Sequence, residues 1–165
     1  MATKAKIDVE TRLAVEDFIY AYADCLDHGD IEAWPDFFTE DCVYKLISKE
    51  NYDLGLPLGT IFAEKRGGIE DRVTSVTHTT VYHQRALTHL ITNTRVLSDK
   101  GGVIEMTANY AVLETLPNQY TRILNSGRYL GRLVRQKDGP ACLRIKELAC
   151  VFDSALVPAS IIYPI

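Results

Sequence analysis

A chain of 165 residues, 47% hydrophobic and 24% charged, is long enough to form one domain around a real core. Its net charge of −4 gives no reason to expect nucleic acid or an anionic membrane as partner. No apolar run approaches the ~20 residues that span a bilayer, and the first residues lack the apolar stretch of a secretory signal. Cys25, Cys42, Cys142 and Cys150 form no Cys-x-x-Cys pair. The expectation is one domain over residues 1–165, cytoplasmic, with reduced thiols.

The chain opens with a helical pattern. Asp8 is placed as an N-cap, Glu10 suits the helix dipole, and Val15, Phe18, Ile19, Tyr22 and Leu26 form one apolar stripe. His28-Gly29 should end the helix, because Gly takes the left-handed conformation at low cost. Asp30 then starts a shorter helix carrying Ile31, Trp34, Phe37 and Phe38, with Pro35 early in it. A short strand is expected over Cys42–Ile47, a polar loop over Ser48–Pro57, and a second short strand over Gly59–Phe62. Ala63–Val76 reads as helical at its far end, with Gly67-Gly68 expected to break or kink its start.

From about Thr80 the pattern becomes that of strands: Arg85–Ser98, Val103–Leu116, Tyr120–Lys137 and Cys142–Asp153. Short turns separate them, which makes an antiparallel meander. Ile104, Met106, Ala108, Tyr110 and Val112 form the cleanest inward row. Gly127 and Gly131 are expected at bulges or bends. Strict alternation along Arg85–Val96 sends Leu90, Thr92, Thr94 and Val96 to one side, and His89, Ile91, Asn93, Arg95 and Leu97 to the other. That second, mixed row needs hydrogen-bond partners in a pocket, in the interior or on another subunit. Helices first and a long curved sheet after them give an α+β cone with the early helices against its concave face, and a ligand pocket between the layers.

The residues able to carry chemistry are few. Cys25-Leu26-Asp27-His28 has the spacing of half a Rieske iron–sulfur site, but the Cys-x-His half is missing. His78, His83 and His89 show no facial-triad spacing. Tyr22, Asp24 and Tyr44 near the cone mouth, with His78 or His89 opposite, would suit acid–base chemistry. Equally, Tyr22 is a core residue and Asp24 a solvated one. Arg122, Arg128 and Arg132 form a basic row, either a solvated face paired with acids such as Glu105 or half of a subunit interface. No P-loop, dinucleotide fingerprint or nucleophile elbow occurs.

Taken together, several stretches resemble the small (β) subunits of Rieske aromatic-ring-hydroxylating dioxygenases. Trp34-Pro35-Asp36-Phe37-Phe38-Thr39-Glu40-Asp41-Cys42-Val43-Tyr44 is similar to the family's W-x-x-x-F-x-x-D-x-x-Y stretch. Glu50-Asn51-Tyr52-Asp53-Leu54-Gly55-Leu56-Pro57, Asp71-Arg72-Val73, His89–Val96 with Asn93, and Gly127-Arg128-Tyr129 follow in the family's order. Thr88-His89 stands where many relatives have Arg-His. The wording is most similar to subunits acting on aromatic carboxylates such as salicylate, anthranilate or terephthalate.

The resemblance implies an NTF2-like (cystatin-like) cone and a structural subunit with no catalytic, cofactor-binding or metal residues of its own. It implies an α partner holding the Rieske [2Fe-2S] cluster and a mononuclear Fe(II), in an α3β3 assembly with β–β contacts within a trimer. Two rival expectations come from the same fold: a free-standing dehydratase or isomerase built on Asp24 with His78 or His89, and a small-ligand-binding module.

Overall fold

The computed structural model describes residues 7–79, 84–154, 156 and 161–165. Helix α1 (Val9–Asp27) begins where the sequence places it. The Thr11 backbone N–H donates to Asp8 Oδ1 at 2.6 Å, closing the N-cap. The helix ends at His28, and Gly29 follows at φ +76°. Its stripe of Val15, Phe18, Ile19, Tyr22 and Leu26 is buried throughout.

Ile31–Phe37 is a 3-10 helix, with no side-chain cap from Asp30. Strand β1 (Phe38–Ser48) starts four residues before the expected Cys42. Ser48 then caps a five-residue helix, α2 (Lys49–Asp53), inside the stretch expected to be a loop. It buries no residue, so it left no periodic apolar signal. Strand β2 (Ile61–Glu64) pairs antiparallel with β1.

Helix α3 (Lys65–Thr74) runs through Gly67-Gly68 without the expected break. Two glycines weaken a helix by roughly 1 kcal/mol each, but tertiary contacts outweigh that here. Arg66 bonds the Pro35 carbonyl at 3.0 Å, Asp36 at 2.6 Å and Glu70 at 3.0 Å, and Ile69 is fully buried. At Gly68 an added Cβ would meet the Ala63 Cβ at 3.4 Å, an ordinary van der Waals contact, so helix and strand are closely packed there.

The long strands β3 (Ala86–Lys100), β4 (Val103–Thr115), β5 (Arg122–Arg135) and β6 (Leu143–Phe152) form the expected antiparallel meander. The six-stranded sheet has the order β2-β1-β6-β5-β4-β3. Outside the meander, β1 pairs parallel with β6. With the whole meander between them in sequence, the two have ample chain for a parallel pairing. The row Ile104, Met106, Ala108, Tyr110 and Val112 faces inward and is buried.

The alternation along β3 does not hold. Asn93 takes φ +54°, and the pairing with β4 shifts between Thr92 and Arg95. Before this bulge His89 and Ile91 are the covered residues; after it, Thr94 and Val96 are. His89, Asn93 and Arg95 therefore do not share a face. The extra residue swaps the two rows.

Gly127 and Gly131 serve close approach rather than bulging. A Cβ on Gly127 would lie 2.0 Å from the Val151 carbonyl oxygen, and one on Gly131 would lie 2.8 Å from Met106 Sδ. The register shifts of β5 fall elsewhere, between Val112 and Leu113 on β4 and between Arg132 and Leu133 against β6. At the other end, the Arg135 guanidinium bridges both Asp99 oxygens and Thr11 Oγ1, fastening the start of α1 to β3 and β5.

Candidate functional site

Three candidate arrangements came from the sequence, and the structure sorts them. Asp24 is exposed on α1, and its backbone carbonyl receives the His28 N–H at 3.0 Å. His78 is exposed, with Nδ1 2.6 Å from Thr77 Oγ1. His83 lies outside the described residues. The expected Asp24–histidine pair does not form.

Asp27, one turn further along α1, holds His89 instead. Its carboxylate accepts the His89 backbone N–H at 2.8 and 3.0 Å and faces Nδ1 at 2.5 Å. Asp27 accepting at Nδ1 puts the imidazole proton there, leaving Nε2 as the acceptor. That atom is buried without a partner. The sequence held the signal for this choice: at ~100° per residue, Asp24 sits about 200° round the helix from Tyr22. Asp27 is one turn on from the buried Ala23.

The cone interior is aromatic. Trp34 packs edge-on against Phe38 and Tyr44, each with ring centroids 5.2 Å apart. Tyr110 stacks on Tyr129 at 4.5 Å, and Tyr22 meets Tyr129 at 6.3 Å. Tyr22 and Tyr44 are not at an open mouth. Both hydroxyls donate to the Ile165 carbonyl oxygen, at 2.9 and 3.1 Å. Burial pushes both phenols well above their ordinary pKa, so they are donors and not bases. The apolar segment Ile161–Ile165 is thus covered by the chain's own cone, with Ile161 and Ile165 buried.

Three surface depressions lie elsewhere. A groove of about 390 Å³ on the outer sheet face runs between Val43, Lys45, Tyr52, Leu97, Leu130 and Ala149. A second, of about 450 Å³, is lined by Asp8, Thr11, Arg135 and Cys142. A third, of about 670 Å³, brings Asp24, Cys25, His28, Asp30 and Asp36 together beside Arg144. None is lined by Asp27 or His89.

The third depression contains the Cys-x-x-His spacing, so it is where iron chemistry would have to begin. Cys25 Sγ donates to the Asp30 carbonyl at 3.0 Å, and His28 Nδ1 contacts the Asp24 carbonyl at 2.9 Å. Burial, helped by the Asp30 and Asp36 charges, pushes the Cys25 thiol up to about 11. Among the described residues no group of three or more His, Cys, Asp and Glu is placed to hold a metal ion. A Rieske cluster needs two Cys and two His and a mononuclear iron two His and a carboxylate, so Cys25 and His28, the one Cys and one His of this depression, fit neither.

The basic row is split. Arg122 joins Arg85 on the fully buried Glu114, whereas Arg132 pairs with Glu147 at 2.8 Å rather than with Glu105. Glu105 accepts from Ser98 Oγ instead. Sequence reasoning missed Glu114 because an acid inside an apolar row looks like an interruption until its two arginines, from neighbouring strands, are in view.

A family model described as the ring hydroxylating beta subunit matches residues 21–158, and the chain belongs to that family. It is 32% identical over 158 residues to the anthranilate 1,2-dioxygenase small subunit of Burkholderia cepacia, covering 96% of each. It is 27% identical to the terephthalate 1,2-dioxygenase terminal oxygenase component subunit beta 2 of Comamonas sp, covering 93% of this chain and 97% of that one. A solved Novosphingobium aromaticivorans structure, described as the beta subunit of an aromatic-ring-hydroxylating dioxygenase, superposes with a TM-score of 0.83. It is 32% identical and is covered over 97% of its chain and 94% of this one. The fold is the NTF2-like cone, and the chain is the small component of a ring-hydroxylating dioxygenase.

Proposed function

We propose that this chain, a single domain over residues 1–165, is the non-catalytic scaffold of a cytoplasmic oxygenase that hydroxylates an aromatic carboxylate. A large α subunit carries the Rieske [2Fe-2S] cluster and the mononuclear Fe(II), and the assembly is α3β3, with β–β contacts within a trimer. The observation that carries this reading is the near full-length match to the anthranilate 1,2-dioxygenase small subunit. The terephthalate relative acts on another aromatic carboxylate and supports the same substrate class. The geometry is compatible with a scaffold role: the Asp27 carboxylate is engaged in holding β3 to α1, and the Tyr22 and Tyr44 hydroxyls in holding residue 165.

Co-expression with the α subunit tests the proposal. The expected result is an equimolar complex of hexamer mass that consumes oxygen with anthranilate or terephthalate when supplied with a reductase. Iron and acid-labile sulfide should match the α subunit content alone. Stoichiometric iron on the isolated small chain, or failure of the two chains to co-purify, overturns it.

A further inference from the structure

The centre of the cone is arranged like a ligand site, and the chain itself is in it. Three elements supply donors to one oxygen atom: Tyr22 from α1 at 2.9 Å, Tyr44 from β1 at 3.1 Å and Cys150 Sγ from β6 at 3.4 Å all meet the Ile165 carbonyl. The Ile165 N–H donates back to the Tyr44 oxygen at 3.0 Å. The Ile165 side chain is fully buried within the same hydrophobic cluster as Trp34, Tyr22, Tyr44 and Tyr129. A core built only for packing does not need three polar side chains aimed at a single acceptor, since each carries a desolvation cost.

One further group in this cluster points the same way. The Tyr129 hydroxyl is fully buried and has no partner. Buried donors without acceptors are rare in folded proteins and call for an explanation. Residues 161–165 leave this one unsatisfied. We propose that the centre of the cone is a binding site for a carbonyl or carboxylate oxygen carried on a branched apolar body, and that the chain keeps it filled with its own residues 161–165. A ligand with a second acceptor oxygen would also reach the Tyr129 hydroxyl, which the segment leaves unpaired. Tethering gives the segment a high effective concentration, so a free molecule competes poorly while the segment is intact.

The test uses the full-length chain with Ile165→Asp, which places a charge where the apolar side chain belongs and disables the internal occupant. The probe is the peptide acetyl-Ile-Ile-Tyr-Pro-Ile-amide, added in trans. Trp34, the single tryptophan, lies against Tyr44 and reports occupancy by fluorescence. The expected result is a saturable change in the variant and none in the unmodified chain at the same concentrations. The same peptide ending in isoleucinol, which lacks the carbonyl, should bind at least tenfold more weakly, as should the acetyl peptide to a variant that also carries Tyr44→Phe. If the Ile165→Asp chain does not fold alone, the readout becomes refolding yield, which the acetyl peptide should raise and the isoleucinol peptide should not. No response to the peptide in either assay, or equal response to both peptides, overturns the proposal.

Discussion

The Asp27 carboxylate grips His89 twice, through the backbone N–H at 2.8 Å and the imidazole Nδ1 at 2.5 Å. One side chain at the end of α1 thereby fixes both the path of β3 and the orientation of its buried histidine. Removing the carboxylate leaves a backbone donor and a ring donor without partners, at ~1–3 kcal/mol for each buried group. Asp27→Ala should lower the unfolding free energy by about 2–4 kcal/mol, tempered by the partial exposure of Asp27. Asp27→Asn retains one acceptor oxygen and should lose about half as much. Urea denaturation of the isolated chain measures both, and a loss below ~0.5 kcal/mol for Asp27→Ala would mean that the clasp is incidental.

How much of this was legible beforehand depended on the range of the interaction. The limits of α1 follow from Asp8 and Gly29, whose effects are local, and the inward row of β4 follows from period-two alternation. The meander follows from the short turns. The parallel β1–β6 pair was not legible, because nothing near Val43 encodes the proximity of Glu147. The swap of faces at Asn93 was hidden for a related reason: Asn tolerates positive φ, but only the pairing partner shows that the bulge is used. The helix through Gly67-Gly68 likewise depends on Arg66 reaching Pro35 and Asp36, about thirty positions away. At the site, His89 was foreseen with the wrong aspartate.

The two kinds of glycine should respond oppositely to alanine. At Gly127 the new Cβ would overlap the Val151 carbonyl, 2.0 Å away in the backbone of the neighbouring strand. Neither strand can yield without breaking the β5–β6 ladder, so Gly127→Ala should cost more than ~3 kcal/mol and lower the soluble yield. At Gly67, inside α3, nothing lies within 4 Å of the new Cβ. Gly67→Ala should stabilise by about 0.5–1 kcal/mol through helix propensity and lost unfolded-state entropy. Thermal melts of the two variants beside the parent chain check both signs.

The four thiols should separate by rate. Cys142 is exposed, while Cys42 and Cys150 are buried and Cys25 is half-buried. Burial pushes Cys25 and Cys42 up to about 11 and Cys150 higher still. Only the thiolate attacks a disulfide reagent. At pH 8 the native chain should therefore show one fast equivalent with an aromatic disulfide, assigned to Cys142, and three slow ones that become fast on denaturation. Cys142→Ser should abolish the fast phase. Fast reaction at Cys25 would show its pocket to be open enough to ionise the thiol.

Alkaline pH should unfold the chain earlier than exposed groups alone would. Tyr22, Tyr44 and Tyr129 are held above their ordinary value of 10, with burial the largest cause and the nearby Cys150 next for Tyr44 and Tyr129 as for Tyr22. Tyr110 is shifted the same way, again chiefly by burial. These are neutral acids whose folded pKa is raised. Below the unfolded value both states keep the proton, so the groups add no pH dependence there. Above pH 10 the unfolded chain releases phenolic protons that the folded chain retains, and stability falls as pH rises toward the folded values. The slope is about 1.4 kcal/mol per pH unit for each such group. Urea midpoints at pH 9, 10, 10.5 and 11, around the phenolic range of ~10, should be read beside the difference in tyrosinate absorbance between the parent chain and Tyr129→Phe, because Tyr20, Tyr52 and Tyr120 are exposed and add to the total signal. In that difference, ionisation and unfolding should be a single transition. Tyr129→Phe removes one shifted group without removing a hydrogen bond, since that hydroxyl has no partner. It should shallow the alkaline slope by about 1.4 kcal/mol per pH unit and leave stability at neutral pH unchanged or raised. Tyrosinate appearing in the Tyr129 difference signal well before unfolding would mean that solvent enters the cone in the folded state.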